Sequence, residues 1–303
     1  MVDVITHPDK VLFPEDGITK GDLAGYYDAI ASMILPHLRG RPVTMERFPS
    51  GIGQKGFLQK DVSKGFPAWL ERVAAPKKGG VVHYPLIEDR RGLAWLANQN
   101  CITPHVWTSR ALRLHQPDLC VFDLDPSAND PQIVQQAALA VRDVLAEAGL
   151  RSWVKTSGSK GFHVVAPLDG EADFDDVAAL ADAVGRRLVE RDPRHLTLEF
   201  MKADRAGRIF VDINRNEYSA TFASPYAVRA KAGAPVSAPC AWEELAEGRV
   251  EPTTFSLRSM IERVAEVGDL WADMYQEPQS ATRALAQLGG PPEGPSPARR
   301  RFR

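Results

Sequence analysis

The segment CVFDLDP, Cys120 to Pro126, constrains this chain more than any other. It is a short apolar run that ends in two acids at alternate positions. In an extended strand alternate side chains share a face, so Asp123 and Asp125 point one way and Leu124 the other. Pro126 then ends the strand. Two carboxylates on one face repel each other unless cations lie between them, and hard oxygen donors of this kind suit magnesium or manganese. The competing source of the pattern is a strand that stops at a turn, where Asp is common. DxD by itself does not decide between the two.

The rest of the chain is ordinary for a globular protein. Its 303 residues suffice for one large domain or two small ones, with 44% hydrophobic and 25% charged residues. No apolar stretch is long enough to span a bilayer, so no membrane partner is expected. Asp3, His7, Asp9 and Lys10 interrupt any apolar start of the signal-peptide kind. Cys101, Cys120 and Cys240 form no CxxC pair, which leaves them as buried free thiols of a reducing, cytoplasmic compartment. The formal net charge of -2 gives no basic excess over the whole chain. A local basic face beside a carboxylate cluster would still bind phosphate.

Elements alternate along the chain. Thr19 is placed to cap a helix carrying Leu23, Tyr26, Tyr27, Ile30, Met33 and Ile34 at helical spacing, with Pro36 near its end. Strands are expected at Pro42 to Phe48 and Gly80 to Tyr84, and a short helix at Gly92 to Asn98. Pro131 to Gly149 reads as a helix with Pro near N1 and a glycine stop. Ser152 to Lys155, Phe162 to Ala166 and Arg208 to Ile213 read as strands. Asp175 to Glu190, Phe255 to Val267 and Ser280 to Leu288 read as helices. This mixture predicts an α+β (mixed α/β) fold. The tail GPSPARRRFR is Pro-rich and basic, of the composition that stays disordered.

Two further segments add chemistry. In RIFVDIN, Asp212 ends a strand-like run and would bring a third carboxylate from an adjacent strand. Three such acids make a two-metal site, which activates an attacking hydroxyl and stabilises a leaving pyrophosphate. In KTSGSKGFHVV, Gly158 and Gly161 can take positive φ, so that N–H groups face an anion. Ser157 and Ser159 add hydroxyls, Lys160 a charge and His163 an imidazole donor. This is chemically a triphosphate cradle, though not a Walker A loop; a plain Gly/Ser hairpin is the alternative.

DLDP, SGSKGFH and FVDIN, in this order, resemble the three motifs of the archaeo-eukaryotic primase superfamily. HPDKVLFPEDGITKGDLAGYY, GRPVTMERFPSG, LAWLANQN, PHVW and SPYAVRAKAGAPVSAPCAWEEL narrow the resemblance to the polymerase domain of bacterial DNA ligase D, over roughly Thr6 to Asp273. The resemblance implies a primase-like catalytic core with an N-terminal module (to about residue 100) packed against it, one domain to about residue 285 and a tail over 286–303. It implies template-directed transfer of NTPs or dNTPs to gapped or end-tailed DNA, with manganese or magnesium. Asp123, Asp125 and Asp212 would hold the metals. Ser157, Ser159, Lys160, His163 and Arg229, with His105 of PHVW, would hold the nucleotide. Lys10 and Lys20 match a pocket for the 5′-phosphate downstream of a gap, where the competing reading is two solvated lysines. Phe57 matches a position that stacks on the template. Leu58, Glu46 and His7 depart from the family pattern, which bears on template stacking and end recognition rather than on the chemistry.

The pathway implied is non-homologous end joining with a separate ligase and Ku, in the bacterial cytoplasm at the nucleoid. Short-gap excision repair, priming and a non-catalytic end-binding module are the other readings. No KxDG ligase motif is present, so the chain stands alone or is one domain of a fusion; Met1 and the short tail favour the former.

Overall fold

The computed structural model describes residues 5–62, 65–127, 130–294 and 296. In chain order the elements are β1 (Val11–Phe13), β2 (Ile18–Thr19), α1 (Lys20–Ala29), α2 (Ala31–Leu38), β3 (Val43–Arg47), β4 (Phe57–Gln59), β5 (Arg72–Lys77) and β6 (Gly80–Pro85). Next come α3 (Arg90–Asn98), β7 (Cys101–Trp107), β8 (Leu119–Pro126), α4 (Pro131–Glu147), β9 (Trp153–Thr156), β10 (Phe162–Pro167) and α5 (Phe174–Arg191). These are followed by β11 (Leu196–Thr197), β12 (Ile209–Asp212), β13 (Thr221–Ala223), β14 (Pro239–Cys240), α6 (Trp242–Ala246), α7 (Leu257–Val267) and α8 (Ala281–Gln287). Mixed strands and helices are as expected. The basic tail, apart from Gly294 and Ser296, lies outside the described residues.

The chain divides into two compact units, neither of them contiguous in sequence. The first takes Met1–Leu114, Thr221–Ala238 and Thr253–Asp269; the second takes His115–Ala220, Pro239–Pro252 and Leu270–Arg303. The first boundary thus falls after Leu114 instead of near residue 100. Two later segments return to the first unit because β13 pairs with β7 and Val236 N–H bonds to Phe255 O. Pairing decided at long range does not show in composition.

The first unit holds a four-stranded antiparallel sheet, β13-β7-β3-β4, and the β5-β6 hairpin. A reciprocal cap starts α1: the Thr19 hydroxyl accepts from Asp22 N–H, and Asp22 Oδ2 accepts from Thr19 N–H at 2.8 Å. The expected single helix is broken at Ile30, where ψ is 14°, and continues as α2 with Pro36 in its last turn.

The second unit holds a six-stranded sheet in the order β11-β12-β8-β10-β9-β14. All its pairings are antiparallel except β11 with β12. Helices α4 and α5 pack on each other and on β8. Asp130 caps α4 through Gln132 and Ile133 N–H, Pro131 stands at its first turn, and Gly149 closes it with φ +74°. Cys120, Phe122 and Leu124 are buried on the face of β8 opposite the acids. Truncating a fully buried Phe122 to Ala would cost about 3–5 kcal/mol. All three cysteines are buried free thiols. Among the described residues no helix is long and apolar enough to cross a membrane.

Candidate active site

Strand register builds the site in the second unit. Across the sheet, Asp212 of β12 stands opposite Asp123 of β8, Asp123 opposite His163 of β10, and His163 opposite Lys155 of β9. Directly opposed residues share a face. Four strands therefore present one row, Asp212–Asp123–His163–Lys155, and Asp125 lies two residues along β8 on the same side. The expected third carboxylate on an adjacent strand is thus in place.

The charges in this row are compensated by side chains that sequence reasoning did not single out. Arg215 follows β12 in a 3-10 turn and lies 3.1 Å from Asp123 Oδ2 and 3.2 Å from Asp212 Oδ2. Arg205 Nη1 donates to Asp125 Oδ2 at 2.8 Å, while its other nitrogens donate to the Glu199 and Phe200 carbonyls. Burial pushes the Asp212 carboxyl above its ordinary value, and the Asp123 charge adds to the rise; Arg215 and the Asn214 hydrogen bonds oppose it. For Arg215, burial opposes the charge, but the two aspartates outweigh it and raise its pKa. The position of the turn is set by fully buried Asn216, which accepts from Val121 N–H and donates to the Val121 and Ile213 carbonyls.

The three carboxylates share a face but do not converge on one point. Among the described residues no group of three or more His, Cys, Asp or Glu side chains is placed to hold a metal ion. Asp125 turns to Arg205, and Asp123 and Asp212 share Arg215. The donor chemistry nonetheless fits a hard divalent cation.

The loop between β9 and β10 departs from expectation in two ways. Gly158 does take a positive φ, +62°, but Gly161 does not. Gly161 is required for another reason: a Cβ there would stand 1.8 Å from the Leu124 carbonyl oxygen. Nor do all the loop N–H groups face outward. The Ser157 hydroxyl accepts from both Ser159 N–H and Gly161 N–H at 3.1 Å, and Ser157 N–H donates to Gly161 O at 2.9 Å. Ser157 is buried and organises the loop, while Lys160 is exposed and Ser159 half-buried.

The remaining candidates lie in the first unit. His105 Nε2 and Glu46 Oε2 are 3.2 Å apart. Burial alone would push the Glu46 carboxyl up; the His105 hydrogen bond and charge, with Arg229 and Thr103 helping, hold it below its ordinary value. Arg229 is held near this pair by its own backbone bond to Pro235 O and by the Thr103 hydroxyl on Val228 O. Phe57 is 47% exposed on β4, under the Arg47 guanidinium, and the neighbouring Leu58 is 60% exposed.

Lys10 and Lys20 meet because the β1–β2 ladder ends in a bond from Lys20 N–H to Lys10 O at 2.8 Å. With His7, Asp9 and Asn100 they line an open depression of about 540 Å³. Lys20 is only 3% exposed, which removes the reading of two solvated lysines. Its ammonium donates to the Thr6 carbonyl at 2.9 Å. Burial first, and then the Lys10 charge, lower its pKa.

Known proteins share this fold. The family model described as the LigD primase-polymerase domain matches residues 19–271. The multifunctional non-homologous end joining DNA repair protein LigD of Mycobacterium tuberculosis is 36% identical over 275 residues, which is 88% of this chain and 36% of the relative. The LigD of Pseudomonas aeruginosa is 33% identical over 293 residues, 94% of this chain and 34% of the relative. A solved polymerase domain of Mycobacterium tuberculosis ligase D in complex with DNA aligns with a TM-score of 0.84 at 35% identity, covering 89% of this chain and 97% of that one.

The fold and its family define a nucleotidyltransferase of the polymerase class. The chain belongs to the family of LigD primase-polymerase domains. It spans about a third of the length of the curated mycobacterial and pseudomonad relatives.

Proposed function

We propose that this chain extends DNA across short gaps or from broken ends, adding NTPs or dNTPs under template direction in non-homologous end joining. The observation that carries the reading is the row of Asp212, Asp123 and His163 across three adjacent strands, with the Ser157–His163 loop at its end. Asp123, Asp125 and Asp212 would hold manganese or magnesium. Bound there, such ions acidify a hydroxyl nucleophile and neutralise charge on the triphosphate and the leaving pyrophosphate.

The protein's own groups do the rest. Lys160 and Ser159 would engage the triphosphate from the loop, and His163 supplies an imidazole at the carboxylates. His105 and Arg229 are assigned to nucleotide contact. Lys10 and Lys20 form a cationic pocket for a 5′-phosphate, where two ammonium groups match a dianion. Phe57 offers a face on which any template base can stack. DNA is the partner, as in the solved ligase D complex. A ligase and Ku would act with it, at the nucleoid of the bacterial cytoplasm.

The deciding experiment incubates the protein with gapped DNA, Mn²⁺ and each ribo- and deoxyribonucleotide, with and without the 5′-phosphate. The reading expects primer growth that depends on Asp123 and is enhanced by the phosphate. Shortening of the primer, or a mobility shift without growth, would overturn it in favour of a nuclease or an end-binding module. Activity on a template lacking any primer would redirect it to priming.

A further inference from the structure

Lys155 is a fully buried lysine in the middle of an apolar strand, and nothing in the proposed chemistry uses it. A methionine or leucine would fill the same space without burying a polar group, and buried polar groups persist where they are hydrogen-bonded. The partner is specific. Lys155 Nζ lies 2.6 Å from His163 Nδ1, and His163 Nε2 lies 3.3 Å from Asp123 Oδ1. Register keeps these three side chains on one face of three consecutive strands.

An ammonium has three N–H donors and no lone pair. With Lys155 charged, the Nδ1 atom facing it accepts. A neutral imidazole that accepts at Nδ1 carries its proton at Nε2. The opposite tautomer would set an N–H against an ammonium and a lone pair against a carboxylate, both repulsive. We infer that Lys155 fixes His163 in the Nε2–H tautomer, so that the imidazole is a hydrogen-bond donor directed at the anionic end of the row. In the free protein that donor faces Asp123. With nucleotide bound, the same N–H is available to a phosphate oxygen, a role that rests on the nucleotide-binding reading of His163 given above. Lys155 touches no substrate in this scheme; it is a positioning residue acting through His163.

The test uses the metal-free, nucleotide-free protein labelled with ¹⁵N-histidine. A long-range ¹H–¹⁵N spectrum reports which ring nitrogen carries the proton, and His163→Gln assigns the signal. The wild type is expected to show a lone-pair-type Nδ1 and a protonated Nε2. Lys155→Met keeps an unbranched side chain one atom shorter but removes the donor, and is expected to invert or average the two signals. Lys155→Gln offers an N–H donor without charge, and because its amide oxygen can also accept it is expected to return the wild-type pattern only in part. In extension assays, Lys155→Met should raise the nucleotide KM by about 10- to 100-fold, the range seen when the group behind a metal-site histidine is removed. Its kcat should move less, and Lys155→Gln should recover part of the loss. A protonated Nδ1 in the wild type, or a wild-type pattern in Lys155→Met, overturns the inference. If Lys155→Met does not fold, the wild-type spectrum decides alone. Spectra as expected with an unmoved KM would uphold the tautomer and overturn the nucleotide role of His163.

Discussion

The two charged sites of this protein treat like charge in opposite ways. In the second unit, three aspartates are answered by arginines of the same chain, Arg205 on Asp125 and Arg215 between Asp123 and Asp212. In the first unit, Lys20 is buried beside Lys10 and bonded to carbonyl oxygens, and its pKa is lowered for it. The first arrangement is neutralised before any ligand arrives, so an incoming cation must compete with guanidinium groups. The second is held in a state that a phosphate dianion would relieve. On the proposed function, the first site would exchange partners and the second would acquire one.

The sharpest way to break the comparison is to remove a carboxylate. Asp123→Ala should abolish extension, losing more than the roughly 100-fold that follows from disturbing a group behind a metal ligand. Gapped-DNA binding, read by anisotropy, should survive, because the phosphate pocket is untouched. Equal loss of binding would show that the two sites are not separable.

Lys20→Ala tests the other side. A charge-assisted hydrogen bond contributes about 1.5–3 kcal/mol. The preference for 5′-phosphorylated over 5′-hydroxyl gaps should therefore fall by about 10- to 100-fold, with extension on an unphosphorylated gap unchanged. A preference that persists would leave the depression without its assigned ligand.

Arg215→Gln probes the internal compensation. Asp123 and Asp212 would then face each other uncovered, at a cost of about 1–3 kcal/mol to the metal-free protein. Thermal melts should show a lower Tm that Mn²⁺ restores more fully than it raises the wild type. A mutant melt indifferent to Mn²⁺ would count against carboxylates that hold metal.

The smallest effect is expected at Glu46. Its folded pKa lies below the ordinary 4.5, so the stability it contributes is present above that value and is lost as pH falls through the folded one. Glu46→Gln should thus be less stable than wild type by about 1 kcal/mol at neutral pH. The gap should close on acidification. Denaturant titrations at neutral and acid pH would show a gap that widens instead if the His105 pairing were assigned wrongly.

Much of this was legible in the chain itself. The 2-residue alternation in β8, the capped helix α4 and the strand ending in Asp212 are local patterns, and local patterns survive without knowledge of the fold. The register that sets Asp212 opposite Asp123 was not legible, because strand order is a long-range property. Arg205 and Arg215 were missed for the same reason: an arginine in a loop says nothing about which acid it will meet. Lys155 did leave a signal, a lysine inside the apolar WVKT run, though only the neighbouring strand shows what it serves. β13 and β14, of three and two residues, owe their extended form to partners far along the sequence. The loop between β9 and β10 was read as a turn that could cradle a triphosphate; the turn is there, but Gly161 was given the wrong reason, since close approach leaves no mark that differs from positive φ.

That glycine has a wider meaning. With nothing but hydrogen on its α-carbon, Gly161 lets the loop seat directly on the carbonyl between the two acids of β8. The distance from loop to acids is thereby gauged by main chain against main chain, as a machined shoulder sets the depth of a tool. A single methyl at position 161 would change that distance at once.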